Sequence, residues 1–415
     1  MGDYWHSVTL EGERCNGCTV CLRRCPTEAI RIRDGKARII KERCIDCGEC
    51  IRVCPYHAKK ALADDLKSIE NYKYKVALVS LPLYGQFALD KDMNRIFNCF
   101  YELGFDMVYD VAYAADILSV LQEDIIKKQG PRPLISTLCP AVTRLIQIRF
   151  PSLIDHIIQL ESPMEVAARL AKKEAIAKAG VNSEDIGIFY ITQCPAKITS
   201  IKNPIGIKKS YVDGAIPIES IYTKLLKIYD DIEINNKIQR ASSKGISWAS
   251  VGGQSLSLGL SSYLAVDGIE NVIKVLEEIE LGKLDDVDFF EGYACVTGCV
   301  GGPLNVENPF IAKNTIRQRA NCYGNIHGEK SELLKDIEGL QVNLTEEIKP
   351  LGILKLDSDI QKAIEKMGLI EKIYKELPGI DCGSCGAPTC RAMAEDVVRG
   401  KASIEDCIIR LKKKT

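Results

Sequence analysis

Histidine and tryptophan are scarce in this sequence, with 4 and 2 residues among 415. Phosphate-binding signatures are missing too: neither G-x-x-x-x-G-K-S/T nor G-x-G-x-x-G occurs, so no P-loop or dinucleotide-binding turn is indicated. Neither sign of charge is in excess, since 55 Lys and Arg oppose 56 Asp and Glu and leave a net charge of −1. That balance gives no electrostatic reason to expect a nucleic-acid partner or an anionic membrane surface.

An apolar segment of membrane-spanning length is also missing. The uncharged stretch 245–266 contains six serines and four glycines, whereas a span needs about 20 predominantly apolar residues. We therefore expect a packed helix or loop there and no membrane span. The first 15 residues are polar and interrupted by charge, unlike a signal peptide. Together these features predict a cytoplasmic protein.

Cysteine is abundant, with 18 residues. In a cytoplasmic chain so many thiols indicate metal sites rather than disulfides. The length suggests two or three domains, and cysteine density predicts three. These are residues 1–65 with eight cysteines, 66–345 with six, and 346–415 with four.

The first region contains a duplicated cysteine run. C-x2-C-x2-C-x3-C-P begins at Cys15 and again at Cys44. This is the run of bacterial two-cluster ferredoxins, in which the fourth cysteine of each run binds the other [4Fe–4S] cluster. Zinc, the alternative, prefers two separated cysteine pairs for each ion. The predicted ligand sets are Cys15, Cys18, Cys21 and Cys54 for one cluster, and Cys44, Cys47, Cys50 and Cys25 for the other.

Basic residues are in local excess around these runs. Residues 1–60 hold twelve Lys or Arg and eight Asp or Glu. An oxidised cluster with its four thiolates carries about −2, so the excess balances two clusters. A docking face for an acidic electron carrier is the alternative, and charge compensation is the favoured interpretation.

The last region has a different cysteine pattern, C-x2-C-x4-C-x16-C, formed by Cys382, Cys385, Cys390 and Cys407. Three thiols on a glycine-rich loop and one beyond a helix suit the corners of another [4Fe–4S] cubane, with zinc as the alternative. The pattern resembles the small cluster domain of Rnf-type electron-transfer subunits and of corrinoid iron–sulfur proteins. Residues 340–372 are charged and helix-prone and predict a helical connector leading to it.

The middle region alternates β-branched runs with amphipathic helical patterns, which is typical of an α/β fold. The predicted strands are residues 76–81, 107–111, 134–137 and 186–192, and the predicted helices are residues 91–104 and 163–180. Cys139 and Cys194 each follow a predicted strand, where open α/β sheets place ligands. With Cys295 and Cys299 they can hold a further cubane between two lobes.

These contexts resemble the catalytic core of [FeFe]-hydrogenases, over roughly residues 75–330. The matching segments are STLCP (136–140), QCPAK (193–197) and EGYACVTGCVGG (291–302). The resemblance implies a two-lobed core with mixed sheets and flanking helices, in which Cys139, Cys194, Cys295 and Cys299 bind the cubane. In that family the last cysteine also bridges to a diiron unit, and a lysine, here Lys197, pairs with a cyanide of that unit. Cys299 and Lys197 are thus catalytic candidates only if a diiron unit binds.

Several family positions are changed in this chain. Leu138 replaces a cysteine that passes protons to the diiron site, and Ser200 replaces a glutamate of the same relay. Further departures are at Met164, Thr192, Gln193, Tyr293 and Pro303. Hydrogen turnover needs a proton route, so these changes predict weak or absent turnover, as in sensory-type and hydrogenase-like members.

Sixteen of the 18 cysteines thus fall into four groups of four, and we predict four [4Fe–4S] clusters. The predicted function is electron transfer, or sensing of H2 or redox state. A working sensory-type hydrogenase with a diiron H-cluster and an electron-relay subunit of a larger reductase are the alternatives. The expected partner is a redox protein such as a ferredoxin or a reductase or signalling subunit, with H2 in addition if a diiron unit binds.

Overall fold

A computed structural model describes residues 5–128, 130–324 and 330–412. The chain forms two compact units: unit 1 joins the residues up to Ala61 with those from Pro350 onward, and unit 2 is Leu62–Lys349. The strands are β1 (Val8–Leu10), β2 (Ile30–Arg33), β3 (Lys36–Ile39), β4 (Lys59–Ala61), β5 (Tyr74–Val79), β6 (Met107–Asp110), β7 (Leu134–Ile135), β8 (Ile186–Thr192), β9 (Gly214–Pro217), β10 (Tyr263–Asp267) and β11 (Phe289–Tyr293). The α-helices are α1 (Val20–Arg23), α2 (Glu49–Arg52), α3 (Met93–Glu102), α4 (Val111–Ile126), α5 (Pro140–Arg149), α6 (Pro163–Ala179), α7 (Pro195–Lys202), α8 (Ile218–Ile228), α9 (Ser243–Ser247), α10 (Gly253–Ser257), α11 (Ile269–Glu280), α12 (Pro309–Tyr323), α13 (Lys330–Asp336), α14 (Ile360–Glu376), α15 (Cys390–Val398) and α16 (Ile408–Lys412).

Unit 1 brings together the two cysteine-rich ends of the sequence. Its strands pair antiparallel, β1 with β4 and β2 with β3. The amide of Ile32 on β2 donates to the carbonyl of Gly386 at 2.9 Å. Buried Arg31 forms a bidentate ion pair with Asp396 on α15, at 2.6 and 3.1 Å. The N-terminal and C-terminal segments therefore pack as one unit.

Unit 2 is built on two parallel sheets with the strand orders β6-β5-β8-β9 and β10-β11-β7. In the first sheet Val76 lies opposite both Met107 and Ile188. Every residue of β8 is buried, as expected for a parallel strand covered by helices on both faces. The α/β fold class is confirmed, and the antiparallel strand pairs of the described residues lie in unit 1, with one isolated antiparallel bridge in unit 2 between Leu160 and Asn343.

The helices predicted around residues 91–104 and 163–180 are present as α3 and α6. Asp92 caps α3 by accepting a hydrogen bond from the Arg95 amide at 3.0 Å, and the helix buries Ile96 and Phe97 against the core. Gly180 ends α6 at φ 63°, a left-handed conformation that glycine adopts without steric cost. The apolar periodicity of both segments was therefore sufficient to predict them.

Two other segments show what local composition can and cannot predict. Residues 245–266 form α9, α10 and the first part of β10, and no helix among the described residues is long and apolar enough to cross a membrane. The predicted helical connector 340–372 is wrong in its first half, because α14 begins only at Ile360. Before it, the Glu161 amide donates to the Val342 carbonyl at 2.9 Å and the Thr345 amide to that of Gly206 at 2.9 Å. These contacts keep residues 342–345 out of a helix, and Pro350 and Gly352 disfavour a helix further along.

Candidate functional site

The first N-terminal cysteine group assembles around α1. The pKa of the Cys21 thiol is raised to about 11, mainly by burial and to a smaller extent by the neighbouring thiols of Cys18, Cys54 and Cys15. Gly17, at φ 72°, lies where a Cβ would come 2.7 Å from the carbonyl oxygen of Gly35, so the loop turns back at a position open only to glycine. The structure thus brings Cys54 of the second run to the cysteines of the first.

The second N-terminal group combines three cysteines of the second run with the last cysteine of the first run. One cavity is lined by Cys25, Cys44, Cys47 and Cys50. Burial raises the pKa of the Cys50 thiol, and the Cys25 thiol adds to the rise. The Ala29 amide donates to the Cys25 sulfur at 3.2 Å, a bond that favours a thiolate as acceptor. Here the fourth cysteine of the first run joins the second run.

Lys59 was not recognised from the sequence. Its side chain is 2% exposed, and its Nζ has no hydrogen-bond partner among the described residues. Its positive charge lowers the pKa of Cys21 and of Cys50, which belong to different groups. A buried ammonium without a carboxylate partner is costly, and thiolates in the two neighbouring groups would offset that cost. The only sequence signal is that Lys59 lies five residues after Cys54, at a position that an apolar side chain would occupy at a lower cost of burial.

The C-terminal group surrounds a cavity lined by Cys382, Cys385, Cys390 and Cys407. Cys390 is the first residue of α15, whose cap is Thr389. The Cys390 amide donates to the Asp381 carboxylate at 2.6 Å, which closes the loop between them. The structure therefore assembles the third predicted group within unit 1.

The fourth group lies in unit 2, at the carboxyl ends of strands from both sheets. Cys139 follows β7 and precedes α5, and Cys194 follows β8 and precedes α7. Cys295 and Cys299 lie on the loop after β11. Burial raises the pKa of the Cys194 thiol well above its ordinary value, and the three other thiols of the group raise it further. The structure thus brings four thiols from three loops together.

Lys197 supplies a positive charge to this fourth group. Its side chain is buried, and its Nζ donates to the Leu138 carbonyl at 3.2 Å. Burial raises the pKa of the Cys299 thiol to about 12, and the Lys197 charge opposes that rise. The ammonium therefore stabilises the thiolate form of Cys299.

The changed family positions are occupied by groups that bond within the chain. Leu138 is buried. The Ser200 hydroxyl donates to the Lys197 carbonyl at 2.9 Å, and the Tyr293 hydroxyl donates to the Trp248 carbonyl at 3.0 Å. The Thr192 hydroxyl accepts the Cys194 amide at 3.1 Å. These hydroxyls brace the backbone of the site.

The remaining changed positions pack against the same loops. The Gln193 carbonyl accepts the Leu304 amide at 3.1 Å, which holds the segment containing Pro303. Met164 is buried and lines a cavity with Ser200 and Glu165. Burial raises the pKa of Glu165 to about 7, although its carboxylate accepts bonds from the Ser210 hydroxyl and the Tyr211 amide. Nothing in the sequence distinguished Glu165 from other helical glutamates.

Two further side chains lie beside the second N-terminal group. The donor atoms of His6, Cys44 and Asp46 lie within 4.8 Å of one another. Cys44 belongs to that group, so His6 and Asp46 lie next to its site.

The charge of the sites calls for a bound cation. Burial raises the pKa of thiols in each of the four groups. Four buried thiolates repel one another, and a group without a cation would stay protonated. Zinc prefers separated cysteine pairs, whereas three cysteines in one short loop are typical of cluster ligands. The residues present therefore fit [4Fe–4S] clusters. For a diiron unit they fit in part, because the Lys197 ammonium has three N–H donors and gives one of them to the Leu138 carbonyl, whereas the Leu138 side chain has no proton to pass on.

Comparisons with known proteins match all three cysteine-rich regions. A family model described as the C-terminal domain of the iron-only hydrogenase large subunit matches residues 74–255 and 221–303. A 4Fe-4S dicluster domain matches residues 7–55, and a putative Fe-S cluster domain matches residues 377–409. The matches cover the regions in which the four cysteine groups lie.

Individual relatives agree with these matches. The chain is 26% identical over 215 residues to the periplasmic [Fe] hydrogenase large subunit of Nitratidesulfovibrio vulgaris, covering 47% of this chain and 51% of the relative. It is 53% identical over 36 residues to the corrinoid/iron-sulfur protein large subunit of Moorella thermoacetica, covering 9% of this chain and 8% of the relative. The chain spans a quarter to a half of the length of the hydrogenases it matches. A solved [FeFe]-hydrogenase of Chlamydomonas reinhardtii overlaps 70% of this chain and 94% of its own, at 14% identity and a TM-score of 0.47.

Proposed function

This chain belongs to the iron-only hydrogenase large-subunit family, and we propose that it transfers electrons or senses redox state with weak or absent hydrogen turnover. As a member it is an iron–sulfur redox protein. The finer proposal is that it holds four [4Fe–4S] clusters, two at the N-terminal cysteine groups, one at the C-terminal group and one in unit 2. The clusters supply one-electron redox chemistry when bound.

The observation that carries the proposal is the hydrogen bond between the Lys197 ammonium and the backbone carbonyl of Leu138, the residue that replaces the family's relay cysteine. The buried lysine donates to the Leu138 carbonyl, and the Leu138 side chain has no exchangeable proton. Ser200, which replaces the family's relay glutamate, donates its hydroxyl to the Lys197 carbonyl. The family's relay cysteine and glutamate are therefore both replaced in a reaction that needs a proton route, whereas the four thiols of the fourth group and Lys197 remain.

Lys197 has a clear role in a site that only exchanges electrons. A cluster with four thiolates carries about −2, and a cation buried beside it offsets part of that charge. The ammonium also opposes protonation of Cys299. It therefore retains a function without any cyanide ligand to pair with.

The partner we propose is a redox protein, such as a ferredoxin or a reductase or signalling subunit. Support comes from a segment of 57 residues that is 40% identical to an ion-translocating oxidoreductase complex subunit of Thiobacillus denitrificans. That segment covers 30% of the relative.

The decisive experiment uses protein purified after maturation with the diiron cofactor. H2 oxidation is measured with viologen dye, next to an iron count and an infrared spectrum. We expect cubane iron with slow or no dye reduction. Strong CO and cyanide bands together with fast dye reduction would contradict the proposal and make the protein a working hydrogenase.

The Leu138→Cys variant separates the two causes of low turnover. If the diiron unit binds but protons are limiting, this variant raises dye reduction above that of the parent protein. If the diiron unit does not bind, neither protein shows CO bands. A parent protein that holds the diiron unit and turns over as fast as Leu138→Cys would show that protons travel by another route.

A further inference from the structure

We propose that a groove on unit 2, between α9, α10 and α12, binds a small organic anion with an apolar body. The groove encloses about 460 Å³, within the usual range of small-molecule sites. Residues 247–256 form one side and a face of α12 forms the other. The cysteines of the fourth group do not line this groove, so the groove is a separate site.

The charge of the groove is positive and unopposed. Lys313 and Arg317, one helical turn apart on α12, both line it. No Asp or Glu of the described residues lines the groove, and neither cation forms an ion pair with a described carboxylate. The Arg317 guanidinium donates to the Asn314 side chain at 2.8 Å, which fixes its position while leaving its charge uncompensated. An anion is the ligand that this pair of cations selects.

The floor of the groove contains an unsatisfied polar group. Ser250 lines the groove and is 7% exposed, and its hydroxyl has no hydrogen-bond partner among the described residues. Buried hydroxyls are nearly always bonded, because leaving one unpaired costs free energy. A ligand atom in the groove would provide the partner.

The mouth of the groove is apolar. Leu256 from α10 and Phe310 from α12 line it and are 68% and 66% exposed. Large apolar side chains so exposed at one concave site mark a place where apolar surface is buried on binding. The ligand should therefore combine an anionic group with an aromatic or aliphatic body. The concave shape and the buried hydroxyl favour a small molecule over a protein surface.

The groove floor, around Ser250, is hydrogen-bonded to the loop that contains Cys295 and Cys299. The Val251 amide donates to the Thr297 carbonyl at 3.1 Å, and the Val300 amide donates to the Ala249 carbonyl at 3.0 Å. Thr297 and Val300 belong to the loop that contains Cys295 and Cys299. A ligand that displaces the floor therefore also displaces this loop. This coupling, unlike the binding itself, rests on the proposed cluster in unit 2.

The test uses the full chain with its clusters reconstituted, under anaerobic conditions. Isothermal titration compares 1-naphthyl phosphate, 1-naphthol and inorganic phosphate, which carry the body with the charge, the body alone and the charge alone. We expect one equivalent of 1-naphthyl phosphate to bind at least tenfold more tightly than either of the others. EPR spectra of the reduced protein, recorded with and without 1-naphthyl phosphate, should differ in the signal lost on Cys194→Ser substitution.

Variants assign the binding to the groove. Lys313→Gln and Arg317→Gln should each weaken 1-naphthyl phosphate at least fivefold, and Phe310→Ala should weaken both naphthyl compounds. Lys274→Gln is the matched control, because Lys274 is an exposed lysine of α11 outside the groove. All four positions are on the surface or at the mouth, so the fold should be retained.

Several results would overturn the site. Equal affinity for 1-naphthol and 1-naphthyl phosphate, or no effect of the two charge variants, would remove the anion specificity. Binding of a reduced ferredoxin that is lost in the same variants, without binding of 1-naphthyl phosphate, would identify a protein-docking surface instead. Binding with an unchanged EPR spectrum would refute the coupling alone. Because the titration does not depend on hydrogen turnover, its failure is distinguishable from failure of the proposed function.

Discussion

Replacing Asp396 by Asn should destabilise unit 1 strongly. The Asp396 carboxylate accepts two bonds from Arg31 at 2.6 and 3.1 Å and one from Arg33 at 2.9 Å. The Arg31 and Asp396 side chains are 6% and 4% exposed. Removing one partner of a buried ion pair leaves an uncompensated charge and costs about 3–5 kcal/mol. With a urea dependence of about 2 kcal/mol per M, the unfolding midpoint should fall by roughly 1.5 to 2.5 M.

The assay is urea unfolding under anaerobic conditions, followed through the visible absorbance of the clusters and through far-UV circular dichroism. Glu371→Gln is the control. It breaks an ion pair with Arg391 in the same unit, but these side chains are 44% and 53% exposed. Exposed pairs contribute about 0–1 kcal/mol, so the control midpoint should move by no more than about 0.5 M. The reasoning fails if Asp396→Asn shifts the midpoint no more than the control does.

Four further outcomes follow from the structure and the cysteine groups. Iron and sulfide analysis of reconstituted protein should give about 16 iron atoms per chain, and a value near eight would remove two of the proposed clusters. Cys385→Ser should lose about four of these iron atoms and keep the EPR signals of the N-terminal pair, because the groups share no ligand; loss of every signal would show that they do not assemble separately. Lys59→Met should lower the reduction potentials of both N-terminal clusters in an EPR redox titration, since it removes a buried positive charge, whereas Lys60→Met, at a side chain 47% exposed, should have little effect. The pKa of Glu165 is raised to about 7 from 4.5, so between these values the unfolded state loses this proton while the native state keeps it. Stability should therefore fall by up to about 3 kcal/mol as the pH rises from 4.5 to 7 and level off above 7, and Glu165→Gln should flatten that dependence in urea midpoints measured from pH 4.5 to pH 8.

The cysteine groups show how much of the candidate site could be predicted from local sequence. The ligand spacings C-x2-C-x2-C and C-x2-C-x4-C lie within single loops, so they could be recognised without a structure. The exchange of Cys25 and Cys54 between the two N-terminal groups was also predicted, because the duplicated run has a known pairing. The strands before Cys139 and Cys194 were predicted from their apolar runs, and the rule that ligands lie at strand ends then placed both thiols at one site.

The wrong half of the predicted connector contains two helix-breaking residues. Residues 340–359 include Pro350 and Gly352, which are about 3 and about 1 kcal/mol less favourable than Ala inside a helix. Backbone hydrogen bonds between this segment and Glu161 and Gly206 also keep residues 342–345 out of a helix.

The sequence by itself therefore predicted the four cysteine groups, the α/β core and the replacement of the family's relay cysteine and glutamate by Leu138 and Ser200. Only the tertiary structure decided that both ends of the chain form one unit, that Lys59 is buried near two cysteine groups, and that Lys313 and Arg317 share a groove with Ser250. The physical reason is the range of the interactions. Cluster ligands and strand patterns recur within a few residues, whereas Arg31 and Asp396 are 365 residues apart and leave no local sign that they meet.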